Sequence, residues 1–280
     1  MDTLYLGYQA ARGLIGCLPA GAGFGLAERL ADCSWRSLPQ RRRVVADNLS
    51  LLVGRDVPQS SPSVREVFRN FARYLVEFFT FHRVKPPSVA VEGDGHLQHV
   101  RRRGAILLSA HVGNWEVGAA LIRRMGWPVA AVALPHPDAG VNQLFDSQRR
   151  RCGITVIPLG PHAARRSLER LRAGGLLGLM GDQEYLGRSV AAPFCGRTVR
   201  LPRGPAILSL RAQVPVVPTF LIRQGLWKFR LCFERPIWPG ARADDGAVQA
   251  LTQTYAAILE AYAKRVPEQW LRFEPIDATR

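Results

Sequence analysis

The feature that most constrains the fold is the alternation, from residue 104 onward, of short apolar runs with longer segments of helical periodicity. Short apolar runs bounded by charged or polar residues indicate buried strands. Strands joined by helices are typical of βαβ crossovers, and therefore of a parallel sheet with helices on both faces. We predict an α/β fold with a mixed, mostly parallel sheet flanked by helices. The predicted strands are 105–110, 128–134, 154–159, 176–180, 214–222 (broken by Pro215 and Pro218) and 227–233; the predicted helices are 116–125, 141–151, 164–172, 204–212 and 246–266.

Residues 1–87 follow a different pattern, and we predict a helical N-terminal segment there, ahead of one continuous α/β unit at 88–280. The first thirty residues lack the roughly 18 uninterrupted apolar residues that a spanning helix needs. Asp2 has the wrong sign for a secretory signal. Two readings stay open: a stretch in the membrane interface, with Tyr5 and Tyr8 at headgroup level, or a buried N-terminal helix.

Within the N-terminal segment, residues 40–50 indicate a basic helix. Ser63 can cap a further helix from Val64 to about His82, with Glu66 as the N3 residue of a capping box. Aromatic side chains recur along that helix at helical spacing. We expect this stripe to lie in the core.

The chain is strongly basic, with a formal net charge of +16. Lysine occurs only at Lys85, Lys228 and Lys264, so arginine supplies the other 35 of the 38 basic residues. A GC-rich genome would produce such a bias without any functional cause. The functional reading is attraction to an anionic partner: a lipid headgroup layer, a phosphorylated substrate or an acidic carrier protein. Nucleic acid is disfavoured, because zinc-finger spacing and RNP-like aromatic runs are both missing from the sequence.

The cysteines indicate neither a metal site nor a disulfide framework. They are five in number and scattered, and no pair has CxxC spacing. Reduced thiols in a cytosolic compartment fit this pattern. We expect no metal and no bound organic cofactor.

Two polar clusters, 109–116 and 181–184, each follow a predicted buried strand directly. In α/β sheets, ligands bind beyond the carboxyl ends of the strands. Both clusters are therefore predicted to lie at the same edge of the sheet, where a site would form.

His111 and Glu116 are the candidate acid–base pair of the first cluster. If His111 lies in the strand-to-helix turn and Glu116 in the first helical turn, the carboxylate can reach the imidazole and fix its tautomer. Gly113 would let the backbone turn tightly. Since the sequence contains no Gly-x-Ser-x-Gly elbow, we predict that His111 deprotonates a substrate hydroxyl. The alternative is a core histidine bonded to a carboxylate for packing.

The sequence Ser-Ala-His-Val-Gly-Asn-Trp-Glu at 109–116 resembles the HxxxxE form of the HxxxxD/E motif of glycerolipid (lysophospholipid-type) acyltransferases. Its His-x-x-x-Trp-Glu variety is similar to the bacterial lipid A biosynthesis acyltransferases and their mycobacterial phosphatidylinositol-mannoside relatives. The resemblance runs in order from about residue 40 to 273. Its other blocks are 142–146, 149–153, 181–184, 193–198, 204–206, 214–218 and 267–270.

The resemblance implies a glycerolipid acyltransferase-like fold whose N-terminal helices associate with the membrane. It implies acyl transfer from a thioester, on acyl carrier protein or CoA, to a hydroxyl of a glycolipid such as a lipid A precursor. A phosphatidylinositol-mannoside or lysophospholipid acceptor is the alternative, and a non-catalytic lipid-binding protein a distant one. The enzyme would work at the cytoplasmic face of the bacterial inner membrane, on an anionic surface.

The resemblance also implies roles for individual residues. His111 would be the base and Glu116 its partner. The family pattern departs at Cys195, where a second Phe is usual, and after Trp270. The residues expected to bind substrate or shape the site are Asn114, Arg149, Arg151, Asp182 and Gln183.

Overall fold

A computed structural model describes residue 13 and residues 20–83 and 87–276. The helices are α1 (Ala20–Ser37), α2 (Pro39–Val53), α3 (Pro62–Thr80), α4 (Asp94–His99), α5 (Trp115–Arg124), α6 (Ala139–Arg151), α7 (Ala163–Arg172), α8 (Gly204–Ala212) and α9 (Asp245–Arg265), followed by a 3₁₀ turn at Pro267–Gln269. The strands are β1 (Ser88–Glu92), β2 (Ala105–Ser109), β3 (Val129–Ala133), β4 (Thr155–Pro158), β5 (Leu176–Met180), β6 (Ser189–Phe194), β7 (Arg197–Pro202), β8 (Val216–Gly225) and β9 (Lys228–Phe233).

One sheet has the strand order β1-β9-β8-β2-β5-β3-β4. Only β8 and β9 pair antiparallel among these described strands; their neighbours run parallel. Strands β6 and β7 form a separate antiparallel hairpin. The predicted α/β fold with a mixed, mostly parallel sheet is confirmed.

Strand β2 lies at the centre of the core, and all five of its residues are buried. Successive side chains of a strand point to opposite faces of the sheet. Ile106 and Leu108 pack into one core cluster with helices α8 and α9, whereas Ala105 and Leu107 pack into another with α3 and α5. Helices therefore cover both faces, as the continuous apolar run predicts.

Helix α3 packs its aromatic stripe into the core, as predicted, with Phe68 and Phe78 buried. The predicted cap is wrong. Ser61, not Ser63, is the N-cap, and its side chain accepts a hydrogen bond from the Ser63 backbone N–H at 3.3 Å. Pro62 takes the first helical position, where a missing N–H costs nothing and the fixed φ suits a helix.

Several helices and strands differ from the sequence predictions. Helix α1 lies in the segment predicted to be helical, although its bounds were not predicted. Strand β1, helix α4 and the β6–β7 hairpin were not predicted. Strand β8 is continuous rather than broken, since its pairing with β2 ends at Pro218 and its pairing with β9 continues beyond that residue.

Among the described helices, none is both long and apolar enough to cross a membrane. Tyr5 and Tyr8, which were predicted to lie at headgroup level, are outside the described residues.

Candidate active site

The site forms where strands β2 and β5 end side by side. The two strands are parallel, with Ser109 opposite Met180 in register. His111 and Asp182 each follow these residues by two positions, and the Nδ1 atom of His111 lies 2.8 Å from Oδ1 of Asp182. The two polar clusters therefore meet at one edge, as the strand-end argument predicts.

The Asp182 carboxylate is held on both oxygens. Oδ2 accepts the His111 backbone N–H at 2.9 Å and the Trp270 indole N–H at 3.0 Å. Arg272 donates to the Asp182 backbone carbonyl. Burial alone would raise the pKa of Asp182, but His111 and Arg272 hold it well below its ordinary value. Asp182 is therefore an ionised, fixed carboxylate at neutral pH.

The contact with Asp182 determines which ring nitrogen of His111 is free. When Nδ1–H donates to the carboxylate, Nε2 carries the lone pair and can accept a proton. The His111 side chain is 16% exposed, so part of it lies at the protein surface. The Trp115 ring stands edge-on to the imidazole, with centroids 4.9 Å apart, which restricts how the imidazole can turn.

Glu116 does not fill its predicted place on the imidazole. Its carboxylate accepts hydrogen bonds from Arg149 instead, at 3.0 Å to Nε and 2.5 Å to Nη2. Both side chains are largely buried, and Asp146 contacts Arg149 at 3.0 Å. The prediction that Glu116 orients His111 is corrected. The Glu116 carboxylate binds the buried Arg149 guanidinium, and Asp182 is the carboxylate that contacts Nδ1 of His111.

Asn114 is a structural residue here, not the predicted substrate contact. It is fully buried, and its Oδ1 caps α5 by accepting the Val117 N–H at 3.1 Å. Its Nδ2 donates to Glu77 at 2.8 Å, and Glu77 pairs with Arg223. Both polar atoms of the Asn114 side chain are hydrogen-bonded within the protein, and the residue is not exposed, so the side chain does not face a substrate.

The other predicted binding residues are dispersed. Arg149 lies behind Glu116 rather than at the open face of His111. Arg151 is exposed at the C-terminal end of α6. Because α6 links two parallel strands, that end lies at the opposite edge from His111, so the structure does not bring Arg151 to the site. Gln183 is half-buried in the loop that follows Asp182, and its predicted role stays a prediction.

The turn that carries His111 requires glycine at position 113. Gly113 has φ +70°, and a Cβ there would lie 1.9 Å from the backbone oxygen of Leu221. The predicted tight turn is thus confirmed. The close approach of the Leu221 backbone is a second reason why only glycine fits at this position.

The described residues hold no group of three or more metal-ligating side chains. Burial raises the pKa of both Cys152 and Cys195 to about 11, so these thiols stay protonated. The site therefore offers general-base chemistry: an imidazole that is paired with a carboxylate through Nδ1 and can accept a proton at Nε2.

Comparison with known proteins decides the class of this chain. The sequence profile described as "Bacterial lipid A biosynthesis acyltransferase" matches residues 3–275. The chain belongs to this family. It is therefore a lipid acyltransferase, and the predicted membership in this family is confirmed.

Two curated relatives carry the name phosphatidylinositol mannoside acyltransferase. The one from Mycolicibacterium smegmatis is 28% identical over 287 residues, covering 96% of this chain and 90% of its own. The one from Mycobacterium tuberculosis (strain H37Rv) is 27% identical over 247 residues, covering 81% and 74%. Among solved structures, a 1-acyl-sn-glycerophosphate acyltransferase from Thermotoga maritima aligns over 89% of this chain and 97% of its own, with 13% identity and a TM-score of 0.42.

Sequence reasoning missed Trp115 and Trp270 as members of the site and gave Asp182 a different role. A signal for Asp182 was present. Asp182 comes within two residues of the end of a predicted buried strand, as His111 does, which places the two side chains at the same edge of the sheet and together if the strands are neighbours.

Proposed function

We propose that the protein is a membrane-surface O-acyltransferase. It moves a fatty acyl chain from a thioester, on acyl carrier protein or CoA, to a hydroxyl group of a glycolipid. The observation that carries this proposal is the 2.8 Å contact between His111 Nδ1 and Asp182 Oδ1 at the carboxyl edge of the sheet. That contact leaves Nε2 open in a chain of a lipid acyltransferase family.

In the proposed reaction, the acceptor hydroxyl oxygen attacks the thioester carbonyl carbon while His111 Nε2 takes the hydroxyl proton. The C–S bond then breaks, the ester forms, and the imidazolium returns its proton to the leaving thiolate. Asp182 stabilises the imidazolium between these two transfers, as the carboxylate of a triad does. General-base help of this kind contributes roughly 10²–10⁴ in rate.

The acceptor we propose is a phosphorylated, mannose-bearing glycolipid of the phosphatidylinositol-mannoside type. Both named relatives act on that class by name and match most of the chain. The net charge of +16 suits a phosphorylated headgroup. A lipid A precursor, which the family description suggests, is the second candidate.

We further propose that the catalytic edge faces the cytoplasmic leaflet of the inner membrane. Leu134 (48% exposed) follows β3, and Tyr185 (43%) and Leu186 (59%) follow β5. These apolar side chains lie at the same sheet edge as His111. Exposed apolar and aromatic side chains on a chain with a net charge of +16 suit contact with an anionic lipid surface.

The test is an acyl-transfer assay on the purified chain. Radiolabelled acyl-CoA and acyl carrier protein thioester would each be offered with three acceptors in anionic vesicles: a phosphatidylinositol mannoside, a lipid A precursor and a lysophospholipid. We expect labelled product with the first, and its loss in His111→Ala. Transfer to none of the acceptors, or an unchanged rate in His111→Ala, would refute the proposal. Flotation with anionic but not zwitterionic vesicles tests the membrane contact.

A further inference from the structure

The C-terminal segment Gln269–Arg272, here called the C-terminal clasp, binds the loop that carries His111. Leu271 donates its backbone N–H to the His111 carbonyl at 2.6 Å, and Gln269 accepts the Gly113 N–H at 2.9 Å. Val112 and Trp270 form an antiparallel bridge. The clasp therefore continues the backbone pairing of the catalytic loop, from a point about 160 residues further along the chain.

One side chain of the clasp reaches the Asp182 carboxylate itself. The Trp270 indole N–H donates to Oδ2 at 3.0 Å, beside the His111 backbone N–H at 2.9 Å on the same oxygen. The other oxygen, Oδ1, is left for the imidazole at 2.8 Å. Two fixed donors on one oxygen thus orient the carboxylate so that its second oxygen meets Nδ1.

Bulk water cannot replace the indole at this position. Trp270 is 2% exposed and Asp182 is 1% exposed. A buried carboxylate that loses a donor keeps the desolvation cost without compensation, or rotates towards another donor. Arg272 supports the same unit by donating to the Asp182 backbone carbonyl, and its own guanidinium also bonds Glu274 and Pro275 carbonyls.

We propose that Trp270 is a positioning residue for the reaction. Its indole N–H holds the Asp182 carboxylate in the orientation that keeps His111 in the tautomer with a free Nε2. This inference rests on the proposed function. Trp270 acts through Asp182 and does not contact substrate.

A purely structural role for Trp270 predicts different behaviour. Its ring packs on Phe194, with centroids 5.8 Å apart, so the indole also contributes to the core. Trp270→Phe keeps an aromatic ring and removes the N–H. Phe194→Leu disturbs the packing of the same ring and leaves the N–H in place. The two variants separate the hydrogen bond from the packing.

We expect Trp270→Phe to lower kcat about tenfold to a hundredfold, the loss of one hydrogen bond to a buried charge. KM for both substrates should stay unchanged, because the residue is buried. Phe194→Leu should lower the thermal midpoint at least as much while keeping most of kcat. In an Asp182→Asn background, Trp270→Phe should lower kcat little further, since residues that act as a unit are not additive.

A readout independent of turnover is the NMR resonance of the His111 Nδ1 proton in protein labelled with ¹⁵N-histidine. We expect it to shift or broaden in Trp270→Phe and to persist in Phe194→Leu. An unchanged resonance, or equal kcat losses in the two variants, would overturn the inference. An inactive wild-type chain would refute the proposed function alone, since the resonance would still decide the role of Trp270.

Discussion

The Nδ1 atom of His111 and the Oδ1 atom of Asp182 lie 2.8 Å apart although 71 residues separate them in sequence. The pair is assembled by the sheet, because β2 and β5 are parallel neighbours in register and each residue follows its strand by the same offset. Its geometry therefore depends on strand pairing more than on the local spacing of the His-x-x-x-x-Glu motif.

The first prediction concerns Asp182→Asn. An amide in this position cannot stabilise the imidazolium by charge, and can present an N–H to Nδ1 and so favour the wrong tautomer. We expect kcat to fall by about 10²–10⁴, with little change in KM because Asp182 is buried. Steady-state kinetics on both substrates measure this. A loss confined to KM would contradict the role given to Asp182.

Much of this fold was predictable, because its central strands are continuous apolar runs. Strand β5 and helix α8 have the predicted bounds. Strand β1 was missed because it lies at the sheet edge, and Val89 is its only residue that is not exposed. The β6–β7 hairpin was missed because arginines at 197 and 200 interrupt its apolar pattern.

The site was predictable in place but not in pairing. Strand ends identify the edge where His111 and Asp182 lie, whereas strand order decides which carboxylate meets the ring. The hydrophobic pattern of one sequence identifies the strands, but it does not show which strands are neighbours in the sheet. Glu116 is close in sequence, but its contact with Arg149 depends on how α5 and α6 pack.

The second prediction concerns Glu116 and Arg149. Removing one partner of a buried ion pair leaves an uncompensated charge and costs about 3–5 kcal/mol. Burial alone would lower the pKa of Arg149, but Glu116 raises it above its ordinary value, so the guanidinium stays charged. We expect Glu116→Gln to lose about that much unfolding free energy in urea, and Glu116→Gln with Arg149→Met to recover part of it.

The double variant also tests the corrected role of Glu116. If Glu116 is structural, a refolded and stable double variant should retain substantial kcat. Should the double variant instead be as inactive as His111→Ala at a temperature where it is folded, Glu116 would belong to the proton-transfer machinery after all.

The third prediction concerns acid stability. The pKa of Asp182 is lower in the folded chain than its ordinary value of 3.8. The ionised form therefore contributes stability that is fully present above about pH 4 and is lost as the pH falls further towards the folded pKa. We expect the wild-type unfolding free energy to fall more steeply below pH 4 than that of Asp182→Asn. The difference in slope approaches about 1.4 kcal/mol per pH unit, one proton. Equal slopes would contradict the ionised, held carboxylate.

The fourth prediction concerns thiol reagents. With a pKa of about 11, Cys152 and Cys195 are under about 1 in 1,000 thiolate at pH 7.5. Among the cysteines of the described residues, we expect iodoacetamide to modify exposed Cys33 first and to leave acyl transfer intact. Mass spectrometry of the labelled peptides measures which cysteines are modified, and a parallel acyl-transfer assay measures the activity. Activity that falls in step with labelling of Cys152 or Cys195 would point to a thiol nucleophile, and Cys33→Ser serves as the control for the exposed site.

The fifth prediction concerns Asn114, whose side chain caps α5 and donates to Glu77. Asn114→Ala removes the cap and one partner of a buried carboxylate, and we expect a loss of about 1–3 kcal/mol in unfolding free energy. Asp138→Ala is the matched control, since Asp138 caps α6 by accepting the Val141 N–H at 2.8 Å and should lose about 1 kcal/mol. KM for the glycolipid should be the same in both variants and in the wild type, because Asn114 is fully buried. A raised KM in Asn114→Ala alone, at a temperature where both variants are folded, would restore the substrate contact that the motif implies.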